Sequence, residues 1–314
     1  MSKIIFCAVV VPAVVALAAA GADRAGRARR ARAKRPAVAV PPGVRNETFT
    51  YKKAPQAELA LHVSFPKGWK ASDKRPGIVF FFGGGWQGGT VGQFESQAYY
   101  LASRGMVAAR ADYRVKSRHR VKPDKCVEDA RTAMRWVRAN AAKLGIDPDR
   151  ICASGGSAGG HLAICTALAE GVDDKADDLK VSCKPNLLVL YNPVLDMARM
   201  AGRVGGEEAA RRISPEHRVT KDVPPAIMYY GSKDHFFEEA KGYLKKAAEL
   251  KLPADVWVAE GMGHGFFNRP PWLPRTTHLT DRFLARHGWL TGESTVKLPE
   301  DKVGMTKYEA AAGK

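Results

Sequence analysis

Cysteine is scarce in this chain, five residues in 314, and none stands at metal-ligand spacing with a histidine, so no zinc site is expected. Zinc-finger spacing, a recognition-helix pattern and an aromatic-basic ribonucleoprotein motif are also absent, which argues against specific nucleic-acid readout. There is no internal repeat and no second compositional regime to mark a further domain. Acidic side chains run short as well: 32 Asp and Glu against 50 Lys and Arg give a formal charge of +18. That surplus suits an anionic polymer or envelope surface, or simply a solvated basic face. A content of 45% hydrophobic and 26% charged residues excludes disorder for the bulk of the chain.

Long apolar runs are missing too, except at the start. Residues 4–20 form an apolar core behind Lys3, interrupted by Pro12 and ending in small residues, and they fall short of the roughly 20 that span a bilayer. Residues 1–22 therefore read as a secretory signal peptide, and a secreted or periplasmic location is expected. Arg24, Arg27, Arg29, Arg30, Arg32, Lys34 and Arg35 follow at once, although positive charge there resists translocation. This basic, Ala- and Pro-containing stretch, residues 23–45, reads as a flexible linker. Residues 1–35 hold +7 of the formal charge and the rest keeps +11, so the folded part is itself basic. Beyond the signal, Cys152 and Cys165 read as buried thiols, while a bridge between Cys126 and Cys183 stays open.

What is present is an alternation. Apolar runs at 77–82, 106–113, 150–154, 186–191, 226–231 and 254–259 read as strands, and amphipathic stretches at 93–104, 125–143, 159–170, 236–250 and 276–287 read as helices. Ahead of them, 48–52 and 58–65 alternate like an antiparallel hairpin. This predicts an α/β fold over residues 46–290: a mostly parallel central sheet with an N-terminal antiparallel hairpin and helices on both faces. Loops at the strand C-termini then share one edge, where ligands bind. The polar tail, residues 291–314, is expected to fray.

Three of those loops carry chemistry. Gly155-Gly156-Ser157-Ala158-Gly159 stands between a strand and a helix, the G-x-S-x-G arrangement that lifts a serine hydroxyl above a sheet edge. It also leaves the Ala158 N–H at the positive end of a helix, where an oxyanion is stabilised. Ser157 needs a base, and His264 in the glycine-flanked loop after the last strand offers one. His264 needs an acid, and Asp234 ends the penultimate strand; it could instead cap the next helix. Asp255 and Glu260 are weaker candidates, and His161 reads as a packing or capping residue. Phe80-Phe81-Phe82-Gly83-Gly84-Gly85-Trp86 runs from a strand into three glycines, so Gly84 and Gly85 are candidate backbone donors for an oxyanion hole. Trp86 is a candidate wall of the acyl pocket or a plain core residue.

A rival reading exists for that loop. Gly83, Gly85 and Gly88 also spell G-x-G-x-x-G, with Asp112 ending the next strand as a ribose-binding acid would. Against it, Gly88-Gly89-Thr90-Val91-Gly92 stays in loop where a dinucleotide-binding helix should begin.

Taken with Ala111-Asp112-Tyr113-Arg114, Asp129-Ala130-Arg131, Arg135-Trp136-Val137 and His264-Gly265-Phe266, these motifs cover roughly residues 65–290 and resemble the α/β-hydrolase superfamily, in its hormone-sensitive-lipase and acetyl-esterase branch. The resemblance implies a serine ester hydrolase of the α/β-hydrolase fold, with Ser157, His264 and Asp234 as triad and no cofactor; a serine peptidase of the prolyl-oligopeptidase type, which shares the elbow and triad order, and a non-catalytic sugar-binding relative are the alternatives. It extends to bacterial carbohydrate and feruloyl-type esterases, so an acylated polysaccharide or a small ester is the implied substrate. One residue departs from the pattern: Phe82 stands where the family usually has a histidine that helps hold the oxyanion loop, which implies aromatic packing instead. Residues 191–224 are loopy and too short for a large cap, which implies an open site and short acyl groups.

Overall fold

The computed structural model describes residues 38–301 and 303–309. The signal peptide expected at 1–22, and the linker up to residue 37, lie outside them. Nine strands form one sheet: β1 (Arg45–Ala54), β2 (Ala57–Phe65), β3 (Arg75–Phe81), β4 (Val107–Ala111), β5 (Ile146–Gly156), β6 (Leu187–Tyr191), β7 (Ala226–Gly231), β8 (Ala254–Ala259) and β9 (Met305–Tyr308). Their order is β1-β2-β4-β3-β5-β6-β7-β8-β9. From β4 to β8 every pairing is parallel, while β1, β2 and β9 join antiparallel. This is the α/β-hydrolase architecture anticipated above, with one correction. The tail does not simply fray, because Met305–Tyr308 pairs with Val256–Ala259.

Alternation within the inner strands explains their near-continuous apolar character. Ile78 and Phe80 face one core, shared with α1 (Glu95–Ser103) and α5 (Trp272–Arg286). Val79 and Phe81 face the other, shared with α2 (Pro123–Ala139), α3 (Ala158–Leu168) and α4 (His235–Glu249). Both faces of each inner strand are thus covered, as parallel sheets require. Helix α2 opens with Pro123, whose missing N–H costs nothing there, and has Asp124 in its first turn and Arg138 in its last, matching the helix dipole.

The hairpin is clipped to α2 by charge. Lys52 Nζ on β1 lies 3.0, 2.7 and 2.6 Å from carboxylate oxygens of Glu128, Asp129 and Asp174. The Arg114 guanidinium contacts Asp129 and Glu128, each at 2.7 Å. The bridge left open between Cys126 and Cys183 does not form, and Cys126, Cys152, Cys165 and Cys183 are all free and buried. Cys126 Sγ donates to Arg114 O and Cys183 Sγ to Thr166 O.

Candidate functional site

Ser157 caps β5 with φ 55° and ψ −121°, a backbone state that side-chain-bearing residues avoid. Holding a residue there costs of order 1–3 kcal/mol, and the surroundings over-determine it. Its N–H donates to Tyr191 O at 2.8 Å, and its carbonyl accepts from His161 N. The two flanking glycines are sterically compulsory: a Cβ on Gly155 would stand 2.3 Å from Gly159 O, and one on Gly159 2.1 Å from Phe81 O. Because α3 starts at Ala158, the Ala158 N–H belongs to the first helical turn and has no partner within the helix.

Asp234 arrives after β7 and His264 after β8, and the two loops cross closely. A Cβ on Gly231 would lie 2.2 Å from Met262 O, so only glycine admits that approach, and Lys233 N donates to Met262 O at 2.9 Å. His264 Nδ1 lies 2.8 Å from Asp234 Oδ2, and His264 Nε2 lies 2.8 Å from Ser157 Oγ. The two readings of Asp234 turn out to be compatible, because its other oxygen, Oδ1, caps α4 by accepting from Phe236 N at 3.0 Å. Fully buried Asp234 fixes the Nδ1–H tautomer and leaves Nε2 free to take a proton from serine. The weaker acid candidates are engaged elsewhere: Asp255 with Arg286 and Lys307, Glu260 with Ser232. His161 is buried and bonded to Ile213 O; desolvation pulls it down to about 4, so it stays neutral.

The glycine loop faces the same opening. Gly84 and Gly85 hold positive φ values of 133° and 62°, and neither N–H meets a protein acceptor among the described residues. Phe82 is stacked on Tyr113 with ring centroids 4.1 Å apart, and Tyr113 OH donates to Phe82 O at 2.6 Å. Aromatic packing therefore does support this loop from beneath. The chain after Gly88 stays irregular until a 3-10 turn at Val91–Phe94, and Asp112 is paired with Arg118 at 2.9 Å, so the dinucleotide reading fails. Trp86 is a buried core residue packed edge-on against His161, and it also lines the cavity.

A family model, BD-FAE, matches residues 61–246, more than half of the chain. The protein belongs to the BD-FAE family. With it the chain falls in the esterase-like branch of the α/β-hydrolase superfamily, as its similarities also show. It is 29% identical over 229 residues to Esterase LipC of Mycobacterium tuberculosis, covering 63% of this chain and 56% of that protein. Carboxylesterase NlhH of the same species is 25% identical over 236 residues, covering 68% and 73%. The chain thus spans between about half and three quarters of the length of these curated relatives. Among solved structures, Thermogutta terrifontis esterase 2 phosphonylated by cyclosarin is 41% identical, with a TM-score of 0.75, covering 80% of this chain and 97% of that one. Propionate-bound and butyrate-bound forms of that esterase, each 40% identical, also align at 0.75, with the same coverage.

In this BD-FAE chain the cavity above Ser157 holds about 350 Å³, at the small end for ligand sites. Its apolar walls include Trp86, Val194, Met200, Phe236 and Phe267. Val194 and Met200 belong to residues 191–224, which fold as a flap of short helical turns, Ala198–Met200, Ala201–Val204, Glu207–Arg212 and Pro215–Arg218. Three amides were not singled out from the sequence: Asn192, Gln93 and Asn268, all of which line the cavity. Asn192 Oδ1 accepts from Gly265 N at 3.2 Å and so pins the His264 loop. Its position directly after β6, at the strand edge that carries the other motifs, was the available signal.

Proposed function

We propose that this protein hydrolyses carboxylic esters of short acyl acids by two-step acyl transfer. His264 Nε2 takes the Ser157 proton as Oγ attacks the ester carbon, and the oxyanion is received by the N–H groups of Ala158, Gly84 and Gly85. When the tetrahedral adduct collapses, the same proton passes to the departing alkoxide and an acyl-serine remains. Water, deprotonated by His264, then attacks the acyl carbon and releases the acid and Ser157. The observation that carries this reading is the unbroken line Asp234 Oδ2, His264, Ser157 Oγ, two contacts of 2.8 Å, beside the Gly84 and Gly85 N–H groups, which have no protein acceptor among the described residues. Among the described residues lining the cavity, Arg203 is the one with a permanent charge, while apolar side chains suit an acyl chain.

The short-acyl preference is supported by the 350 Å³ volume and by the propionate and butyrate held by the Thermogutta esterase. The alcohol in this reading is a sugar unit of an acylated polysaccharide or another small alcohol, the enzyme is exported through residues 1–22, and the charge of the basic segment suits an anionic polymer. A series of p-nitrophenyl esters tests the acyl preference: acetate and butyrate are expected to outrun octanoate, and the reverse order refutes it. Fluorophosphonate labelling with peptide mapping tests the nucleophile, since modification anywhere but Ser157 removes it from the mechanism.

A further inference from the structure

Aromatic packing holds the glycine loop from beneath, and nothing in that packing fixes the loop's height against His264. A chain of side-chain amides does. Gly83 N donates to Gln93 Oε1 at 2.5 Å, Gln93 Nε2 donates to Asn268 Oδ1 at 3.0 Å, and Asn268 Nδ2 donates to Gly265 O at 3.0 Å. Gly265 N in turn donates to Asn192 Oδ1. The amide orientations are forced in sequence: a backbone N–H must meet an oxygen at Gln93, so its nitrogen faces Asn268, whose own nitrogen then faces the Gly265 carbonyl. The neighbouring residues set the register, because Phe94, next to Gln93, stacks on Phe267, next to Asn268, with centroids 5.8 Å apart and rings 14° from parallel.

We propose that Gln93 and Asn268 are positioning residues that lock the oxyanion loop to the His264 loop, bypassing Ser157, so that the acceptor of negative charge and the proton carrier keep one fixed separation. This rests on the ester-hydrolysis reading above. Three consecutive glycines have little conformational restraint of their own. With the Gly83 N–H anchored, the next two N–H groups stay aimed into the cavity before charge develops, and donors aimed in advance need no reorganisation during reaction. The link therefore acts on the transition state more than on substrate binding.

Gln93→Met and Asn268→Leu keep volume and remove the hydrogen bonds. Each is expected to lower kcat about tenfold or more, to leave KM within about threefold and to leave the melting temperature within a few degrees. The double variant should be no worse than the worse single one, since either cut opens the same chain. Asn268→Asp keeps the acceptor for Gln93 and loses the donor to Gly265 O; it should lose kcat likewise. The rate of Ser157 phosphonylation by a fluorophosphonate should fall with kcat, because the phosphoryl oxygen uses the same donors. An active wild type with undiminished kcat in Gln93→Met, losses that multiply in the double variant, or an effect confined to KM would each overturn the proposal alone. A wild type that neither turns over esters nor labels would remove the ester reading and this proposal together.

Discussion

The edge that carries Ser157 and the seam between β1 and α2 both gather buried polar groups, and they are wired in opposite ways. At the seam the charges consume one another: Lys52 serves three carboxylates, and Arg114 forks onto two of them. At the edge, groups are left unspent: the Gly84 and Gly85 N–H groups, a serine in a costly backbone state, and an imidazole reachable from solvent. A cluster that satisfies itself adds rigidity, whereas one that keeps spare donors and stored strain has something to offer a substrate. The contrast predicts that variants at the edge lose turnover without stability, and that variants at the seam do the opposite.

The sharpest attempt to break it is at Ser157. Both Ser157→Ala and Ser157→Gly should lose kcat by about 10⁵-fold or more. Glycine adopts φ 55° at less cost than alanine, so the glycine variant should be more stable to urea than the alanine variant, by about 1 kcal/mol. Next comes Asp234→Asn, expected to cost about 10⁴ in kcat through the wrong imidazole tautomer while stability holds, because asparagine caps α4 as well as aspartate does. Asp234→Ala departs from that rule, because it also removes the cap on Phe236 N, and should add a stability loss of about 1 kcal/mol.

At the seam, Lys52→Met should lower unfolding free energy by about 3 kcal/mol and leave kcat/KM unchanged, the low end for a broken buried pair because Arg114 still serves Glu128 and Asp129. A change in turnover there would erase the distinction between the two regions. The smallest effect is a pH dependence. Partial burial pushes the Asp174 carboxyl up, but hydrogen bonds from Lys52 and the Ala176 N–H outweigh it and bring it down to about 2. A folded-state value below the unfolded one, ~3.9, stabilises above about pH 4 and is lost as pH falls through about 2. Urea titrations of wild type and Lys52→Met should therefore converge across that window.

The parallel core of the fold was legible because its strands are apolar on both faces: the limits of β7 and β8 coincide with the runs at 226–231 and 254–259. Helix α5 starts at Trp272, four residues before the expected start at 276, since Pro274 sits within the first turn, where no intrahelical N–H bond is lost. Strand β9 was hidden because Met305-Thr306-Lys307-Tyr308 has no pattern of its own and is ordered by its partner. In the site, residues with a motif or a glycine neighbourhood were readable. Asn192 offered only its place directly after β6, and Gln93 and Asn268 offered nothing, because an amide is neither rare nor titratable, and its importance lies in what the fold brings to it.

That third antiparallel pairing, β9 on β8, has a consequence for how copies of this protein behave toward one another. It occupies the outward row of N–H and C=O groups along Val256–Ala259, which would otherwise template the addition of a foreign strand. The opposite border is guarded by irregularity instead, a register shift between Thr50 and Lys52 on a strand studded with charge. Cutting the chain before residue 303 would unmask that row along Val256–Ala259, and the first symptom would be association between molecules, with hydrolysis intact.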